Sequence, residues 1–156
     1  MTDAVVTLKK GEGRNLQKGG PWVYDNEIAD ISPGAEDGGL VRVCGENGWP
    51  LGQGFLNRRS KLTVRMLTRD PDAEINEDFF LMRLKNAWEY RKKVVDTSSC
   101  RLVFGEADFL PGLVVDIYGT TAVVQCHSAG MYHARQQIAE ALRTVYNGRL
   151  TAIYDK

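Results

Sequence analysis

The chain has 156 residues, of which 43% are hydrophobic and 26% charged; its 20 basic and 20 acidic side chains give a net charge of zero. That balance excludes a disordered or fibrous chain and fits one ordinary domain or two small ones. No apolar run approaches the roughly 18 residues of a membrane span, and "MTDAVVTLKK" lacks the basic start and long apolar core of a secretory signal, so a cytoplasmic protein is expected.

The first seventy residues read as short strands punctuated by glycine. "AVVTLKK" is a strand, "GRNLQKGGPWVY" carries turn residues with one helical turn at Asn15 to Lys18, "NEIADIS" is strand-like and "PGAEDGG" is a loop. "LVRVCGENGWPLGQGFLN" holds two extended runs about Asn47-Gly48, a hairpin signal because both residues tolerate positive φ. In "KLTVRMLTR", Leu62, Val64 and Met66 alternate with Thr63, Arg65 and Leu67, predicting a strand with one polar-leaning face. Five or six such strands suggest a small barrel.

From Asn76 the period becomes helical. Asn76 is the expected N-cap, Glu77 and Asp78 suit the positive end of the helix dipole, and Phe80, Leu84, Ala87, Trp88, Arg91 and Val95 form the apolar-leaning stripe. Strands are predicted at Arg101 to Gly105, Gly112 to Tyr118 and Thr121 to Cys126. Ser128 can cap a second helix with Met131, Ala134, Ile138, Leu142 and Val145 on one face, ended by Asn147-Gly148. The chain stops at "LTAIYDK", which begins as a further strand, and we expect it to be truncated.

Catalytic chemistry finds little support in these residues. Glu106 and Asp108 could share one face as an acid/base couple, but no histidine, lysine or nucleophile adjoins them, and Asp, Pro and Gly are what a turn requires. The cysteines at 44, 100 and 126 form no CxxC pair, and Cys100 opens a strand rather than a helix, the setting that lowers a thiol pKa. Neither they nor His127 and His133 have zinc-ligand spacing, so no metal is expected. Gly11-x-Gly13 is followed by Leu16 where a dinucleotide fingerprint needs glycine, so no cofactor site is expected here. No catalytic residue is assigned.

The basic residues are clustered. Lys9, Lys10, Arg14 and Lys18 fall near the start; Arg58, Arg59, Lys61, Arg65 and Arg69 follow later. One reading is solvated surface charge. The other is a phosphate-contacting face with Trp22 for base stacking, in which Lys10, Arg14, Lys18, Trp22, Asn57, Arg58, Arg59 and Lys61 are the candidate contacts. Trp22 stands between that role and a place in the core.

"KKGEGRNLQKGGPWVYDNEI", "GQGFLNRRSKLTVRMLTRD" and above all "FGEADFLPGLVVDIYG" resemble the N-terminal part of the bacterial 23S ribosomal RNA large-subunit methyltransferase I family. The resemblance spans essentially the whole chain. It implies an α+β architecture: a PUA-like β pseudo-barrel over 1–70, a linker and helix over 71–98, and an incomplete central α/β domain over 99–156. It implies S-adenosylmethionine and formation of 5-methylcytosine by a further Rossmann-like domain, absent here. It also implies ribosomal RNA as partner, no membrane, and a homodimer as an open question for the full-length protein. The acidic turn Glu106, Asp108, Pro111 and Gly112 resembles a "GE-x-D-G-L-P-G-L" signature facing the methyltransferase domain or the RNA path, with Phe109 where that signature has glycine. The expected function is that of an RNA-recognition fragment of a methyltransferase; the alternative is a stand-alone PUA-type RNA-binding module.

Overall fold

A computed structural model describes residues 2–156. The chain forms two compact units, one up to Ala73 and one from Glu74 onward.

In the first unit, β1 (Val5–Leu8), the four-residue α1 (Arg14–Gln17), β2 (Trp22–Tyr24), β3 (Ile28–Ile31), β4 (Leu40–Cys44), β5 (Pro50–Leu56) and β6 (Leu62–Thr68) follow in order. The six strands make one curled half-barrel sheet in the order β2-β6-β5-β4-β1-β3. Its concave core gathers Val6, Leu8, Leu16, Val23, Val41, Val43, Leu56, Val64 and Met66. Each such side chain contributes about 1.5–3 kcal/mol when withdrawn from water.

The β4–β5 hairpin forms, though not as a two-residue turn. Gly45 donates its N–H to the Trp49 carbonyl at 2.9 Å, closing a wider loop. Only Gly48 there takes a left-handed φ, of 82°, and Asn47 instead accepts the Trp49 N–H through its side chain at 3.0 Å. Strand β6 departs from simple alternation as well. Pairing with β2 skips Thr63, and pairing with β5 skips Leu67, so the strand carries a bulge near each end. Both skipped residues are buried, and the Thr63 hydroxyl is satisfied by donating to the Ser60 carbonyl at 2.9 Å. The expected polar-leaning face at 63, 65 and 67 therefore reduces to Arg65.

Gln53, fully buried, fixes the end of this unit: its Nε2 donates to the carbonyls of Asp70 at 3.1 Å and Ala73 at 2.8 Å.

The second unit opens with α2 (Glu77–Val94), continues through β7 (Ser99–Phe104), β8 (Leu113–Tyr118), β9 (Thr121–Cys126), α3 (Ala129–His133) and α4 (Arg135–Val145), and finishes at β10 (Ala152–Asp155). The sheet order is β10-β9-β8-β7, with β10 parallel to β9 and the other pairs antiparallel. Asn76 caps α2 by accepting the Phe79 N–H at 3.1 Å, and Ser128 caps α3 by accepting that of Met131 at 3.2 Å, as their positions in the sequence predict. Phe80, Leu84, Ala87, Leu102, Leu113, Val115, Ile117, Met131, Ile138 and Leu142 are buried in it. The expected stripes shift at their ends. Val95 is exposed, and Tyr146 rather than Val145 is buried at the close of α4. The predicted second helix is two, separated at Ala134.

Tyr146 packs against Trp88 with ring centroids 4.7 Å apart and the planes tilted by 49°, and its buried hydroxyl has no hydrogen-bond partner among the described residues. Burial pushes its phenol pKa up. Because a buried, unsatisfied hydroxyl costs about 1–3 kcal/mol, Tyr146→Phe is expected to raise the unfolding free energy by about 1 kcal/mol, measured in urea. A loss of stability would contradict the assignment.

Candidate nucleic-acid interface

Strand β2 is an edge of the first sheet, and its three residues alternate. Val23 lies in the core beside Val64 and Leu56, its neighbours in register. Trp22 and Tyr24 belong to the opposite face and meet edge-on, with centroids 6.5 Å apart. Trp22 pairs across to Arg65, Arg65 to Phe55, and Phe55 to Leu40, so one outer row crosses four strands. All four residues of that row are half-buried, and none belongs to the core cluster. Trp22 is thus an outer-face residue. It lies opposite a guanidinium-bearing position, with an aromatic beyond.

Basic side chains flank both ends of this edge. At one end, the Asp25 N–H donates to the Lys61 carbonyl at 3.0 Å, bringing the β5–β6 turn against the end of β2. Asn57 builds that turn: its Oδ1 accepts the Arg59 N–H at 3.1 Å, and its carbonyl accepts the Ser60 N–H at 3.2 Å. Arg59 and Lys61 are exposed and carry no ion pair among the described residues. Arg58 differs from them. Its Nη2 donates to the Ala35 carbonyl at 2.6 Å and its Nη1 lies 3.3 Å from Asp37, so it tethers the β3–β4 loop. At the other end, Arg14 and Lys18 are exposed on and just after α1, and Arg69 donates through Nη2 to the Leu16 carbonyl. Lys10 lies exposed in the turn after β1, which is tied by the Lys9 N–H to the Glu27 carbonyl at 2.8 Å.

Of the eight sequence-derived candidates, Arg14, Lys18, Trp22, Arg59 and Lys61 keep side chains on or beside this edge, Lys10 is exposed in the turn after β1, and Asn57 and Arg58 are engaged within the fold. The sequence reading did not select Tyr24, Phe55 or Arg65. The "WVY" alternation was the available signal for Tyr24. Arg65 was visible as a member of the later basic cluster, but its place between Trp22 and Phe55 came from strand register, which a single sequence does not supply.

The acidic turn belongs to the second unit. Gly105–Asp108 form a 3₁₀ turn, followed by Phe109 in the left-handed region at φ 59°. Asp108 is used internally: its carboxylate accepts from Arg91 Nη1 at 3.1 Å and Nη2 at 2.7 Å, and from the Phe104 N–H at 2.7 Å. Pro111 and Gly112 are buried, and the Gly112 carbonyl accepts the His127 N–H at 2.7 Å. A Cβ on Gly112 would stand 2.9 Å from Ser128 Oγ, which explains glycine there. Asp108, Pro111 and Gly112 are thus used within the fold, and Ala107 and Phe109 are the exposed residues of this turn.

No group of three or more potential metal ligands occurs among the described residues. The thiols are poorly suited to nucleophilic work: burial raises the pKa of Cys44 and Cys100, and burial with the nearby Asp155 carboxylate pushes Cys126 up to about 11. The strand-to-helix turn after β9, Cys126-His127-Ser128, carries no glycine-rich loop of the kind that seats a nucleotide at a helix N-terminus. No helix of the described residues is long and apolar enough to cross a membrane.

The first unit is a curled six-stranded sheet with a basic, aromatic edge, and residues 6–69 within it match the PUA-like domain family. The whole chain is 37% identical over 142 residues to ribosomal RNA large subunit methyltransferase I of Alteromonas mediterranea, covering 89% of this chain and 36% of that protein. It is 32% identical over 154 residues to the protein of the same name from Escherichia coli O1:K1, covering 97% of this chain and 38% of that one. The resemblance to the large-subunit methyltransferase I family read from the sequence is borne out, and the chain spans little more than a third of these curated relatives. In fold it is similar to a Streptococcus mutans protein described as a SAM-dependent methyltransferase, with a TM-score of 0.83, 20% identity and coverage of 97% of this chain and 40% of that one. A second methyltransferase-described structure, solved with SAH, gives a TM-score of 0.78 at 20% identity, covering 96% of this chain and 40% of the other.

Proposed function

We propose that this chain is the RNA-recognition portion of an S-adenosylmethionine-dependent ribosomal RNA methyltransferase acting at cytosine C5. In this reading it grips RNA along the β2–β6 edge of its PUA-like unit. The observation that carries the proposal is the outer row Trp22–Arg65–Phe55 with Arg59 and Lys61 at one end and Arg14 and Lys18 at the other. Guanidinium and ammonium groups neutralise phosphates and release counterions. Aromatic faces on the same edge stack on unpaired bases, as single-stranded or looped RNA requires. The relatives' names support ribosomal RNA as the ligand and methyl transfer as the chemistry of the whole protein. The cofactor would be held by a further domain, and this chain's contribution is binding and positioning.

Each lost phosphate contact reduces the slope of log K against log salt by about 0.7–0.9. The double substitution Arg59→Ala with Lys61→Ala is expected to weaken binding to single-stranded ribosomal RNA fragments and to lower that slope by about 1.5. Fluorescence anisotropy across a salt series measures both. An unchanged slope rejects the edge as the RNA contact. Arg58→Ala serves as a contrast, because its guanidinium is already held by Ala35 and Asp37.

A further inference from the structure

In the second unit, Arg83, Asn86, Ala87, Tyr90 and Arg91 project from one face of α2, at spacings of three and four. With Ala107, Asp108 and Phe109 of the acidic turn they line an open cleft of about 450 Å³. That is the scale of a small-molecule site, well below a protein-sized interface. Its rims are aromatic and wet: Tyr90 is 58% and Phe109 66% exposed. The Arg83 guanidinium lies 5.0 Å from the Phe79 ring and 5.5 Å from that of Phe109, and so braces the latter from below. The Arg91–Asp108 ion pair fixes the floor. Asn86, exposed beside these rings, offers one donor pair and one acceptor, the complement of a base edge.

Phe109 is the telling residue. A non-glycine side chain at φ 59° is disfavoured by about 1–2 kcal/mol. The turn would close more easily with glycine, and the ring it carries instead is mostly solvent-exposed and adds little to any core. A strained backbone holding an exposed aromatic over a cleft is what a stacking contact needs.

We propose that this cleft takes one unstacked nucleobase, held between the Phe109 and Tyr90 rings and read on its edge by Asn86. The proposal rests on the RNA reading for its ligand class, but it concerns a different unit and is tested by a different observable. The decisive experiment titrates the chain with the dinucleotide ApA while following the Asn86 side-chain amide and the Phe109 and Tyr90 ring signals by NMR. Saturable shifts at these signals are expected, and the Asn86 shift is lost in Phe109→Gly and Tyr90→Ala. Phe109→Gly also relieves the backbone, so its melting temperature should stay within about 4 °C of the parent; a folded protein without the shifts attributes the loss to the ring. With longer single-stranded RNA, Phe109→Gly lowers affinity about 5- to 100-fold and leaves the salt slope unchanged, the opposite signature from Arg59→Ala with Lys61→Ala. No shift at these signals with ApA overturns the cleft as a base site, whatever the β2–β6 edge does, and assigns the exposed rings to protein contact. Shifts with ApA but an unchanged salt slope in the double mutant reject the edge and keep the cleft.

Discussion

Asp108→Ala is expected to destabilise the second unit by about 3–5 kcal/mol, the range for removing one partner of a buried ion pair. The Asp108 and Arg91 side chains are only 8% and 12% exposed, so little water reaches either charge. The carboxylate accepts both guanidinium Nη groups and the Phe104 N–H, while Arg91 Nε donates to the Arg101 carbonyl at 2.9 Å. Alanine would leave three donors in place with no acceptor. Asp108→Asn keeps the shape and some of the acceptance, so it should lose less. Urea unfolding followed by a probe within the second unit distinguishes them, and a double-mutant cycle with Arg91→Ala isolates the coupling. A loss below about 1 kcal/mol would show the pair to be solvated, as exposed pairs are. This acid, which the sequence offered both as one half of a catalytic couple and as a partner-facing turn residue, has its lone pairs committed to the fold.

The second large effect belongs to the first unit. Gly52→Ala should destabilise it by about 3 kcal/mol or more, at or beyond the upper end of ordinary overpacking. A Cβ there would stand 2.3 Å from the Thr68 carbonyl oxygen and 2.9 Å from the Arg69 Cα, and both are backbone atoms that cannot rotate away. The φ of 142° adds strain of its own. To make room, β5 must part from β6 beside the Leu67 bulge, and β6 carries Arg65 of the outer row. Thermal melting should show the loss, and RNA affinity should fall with it. Gly48→Ala is the matched control: its φ is 82° but no atom lies within 4 Å of the added carbon, so only the conformational penalty of about 1 kcal/mol applies. Equal effects at the two positions would mean that the close approach of β5 and β6 does not matter.

Elements with a strong local signal were legible in the sequence. The α2 and α3 caps at Asn76 and Ser128 and the stop at Asn147-Gly148 depend on side chains meeting their own backbone, and they appear where expected. What the sequence hid was set by pairing between distant segments. Two bulges in β6 buried Thr63 and Leu67, and neither can be read from a strand taken alone. The β4–β5 loop widened because Trp49 and Gly45 closed it, leaving Asn47 to serve as a side-chain acceptor. At the interface, the basic residues were visible as a composition bias, and their arrangement along one edge came from register. Arg58 shows the limit of reading charge alone: it sits in the right turn, yet its guanidinium holds the β3–β4 loop.

The Gln53 clamp bears on how strongly a whole RNA could be held. Its side chain fixes the backbone as far as Ala73, and the Asn76 cap takes over three residues later. Glu74 and Ile75 lie between these two anchors. For an RNA bound by one unit, a contact to the other is intramolecular, because both units belong to one chain. Two individually weak contacts would combine into avidity, and lengthening the segment at 74–75 with glycine and serine would dilute it without altering either contact.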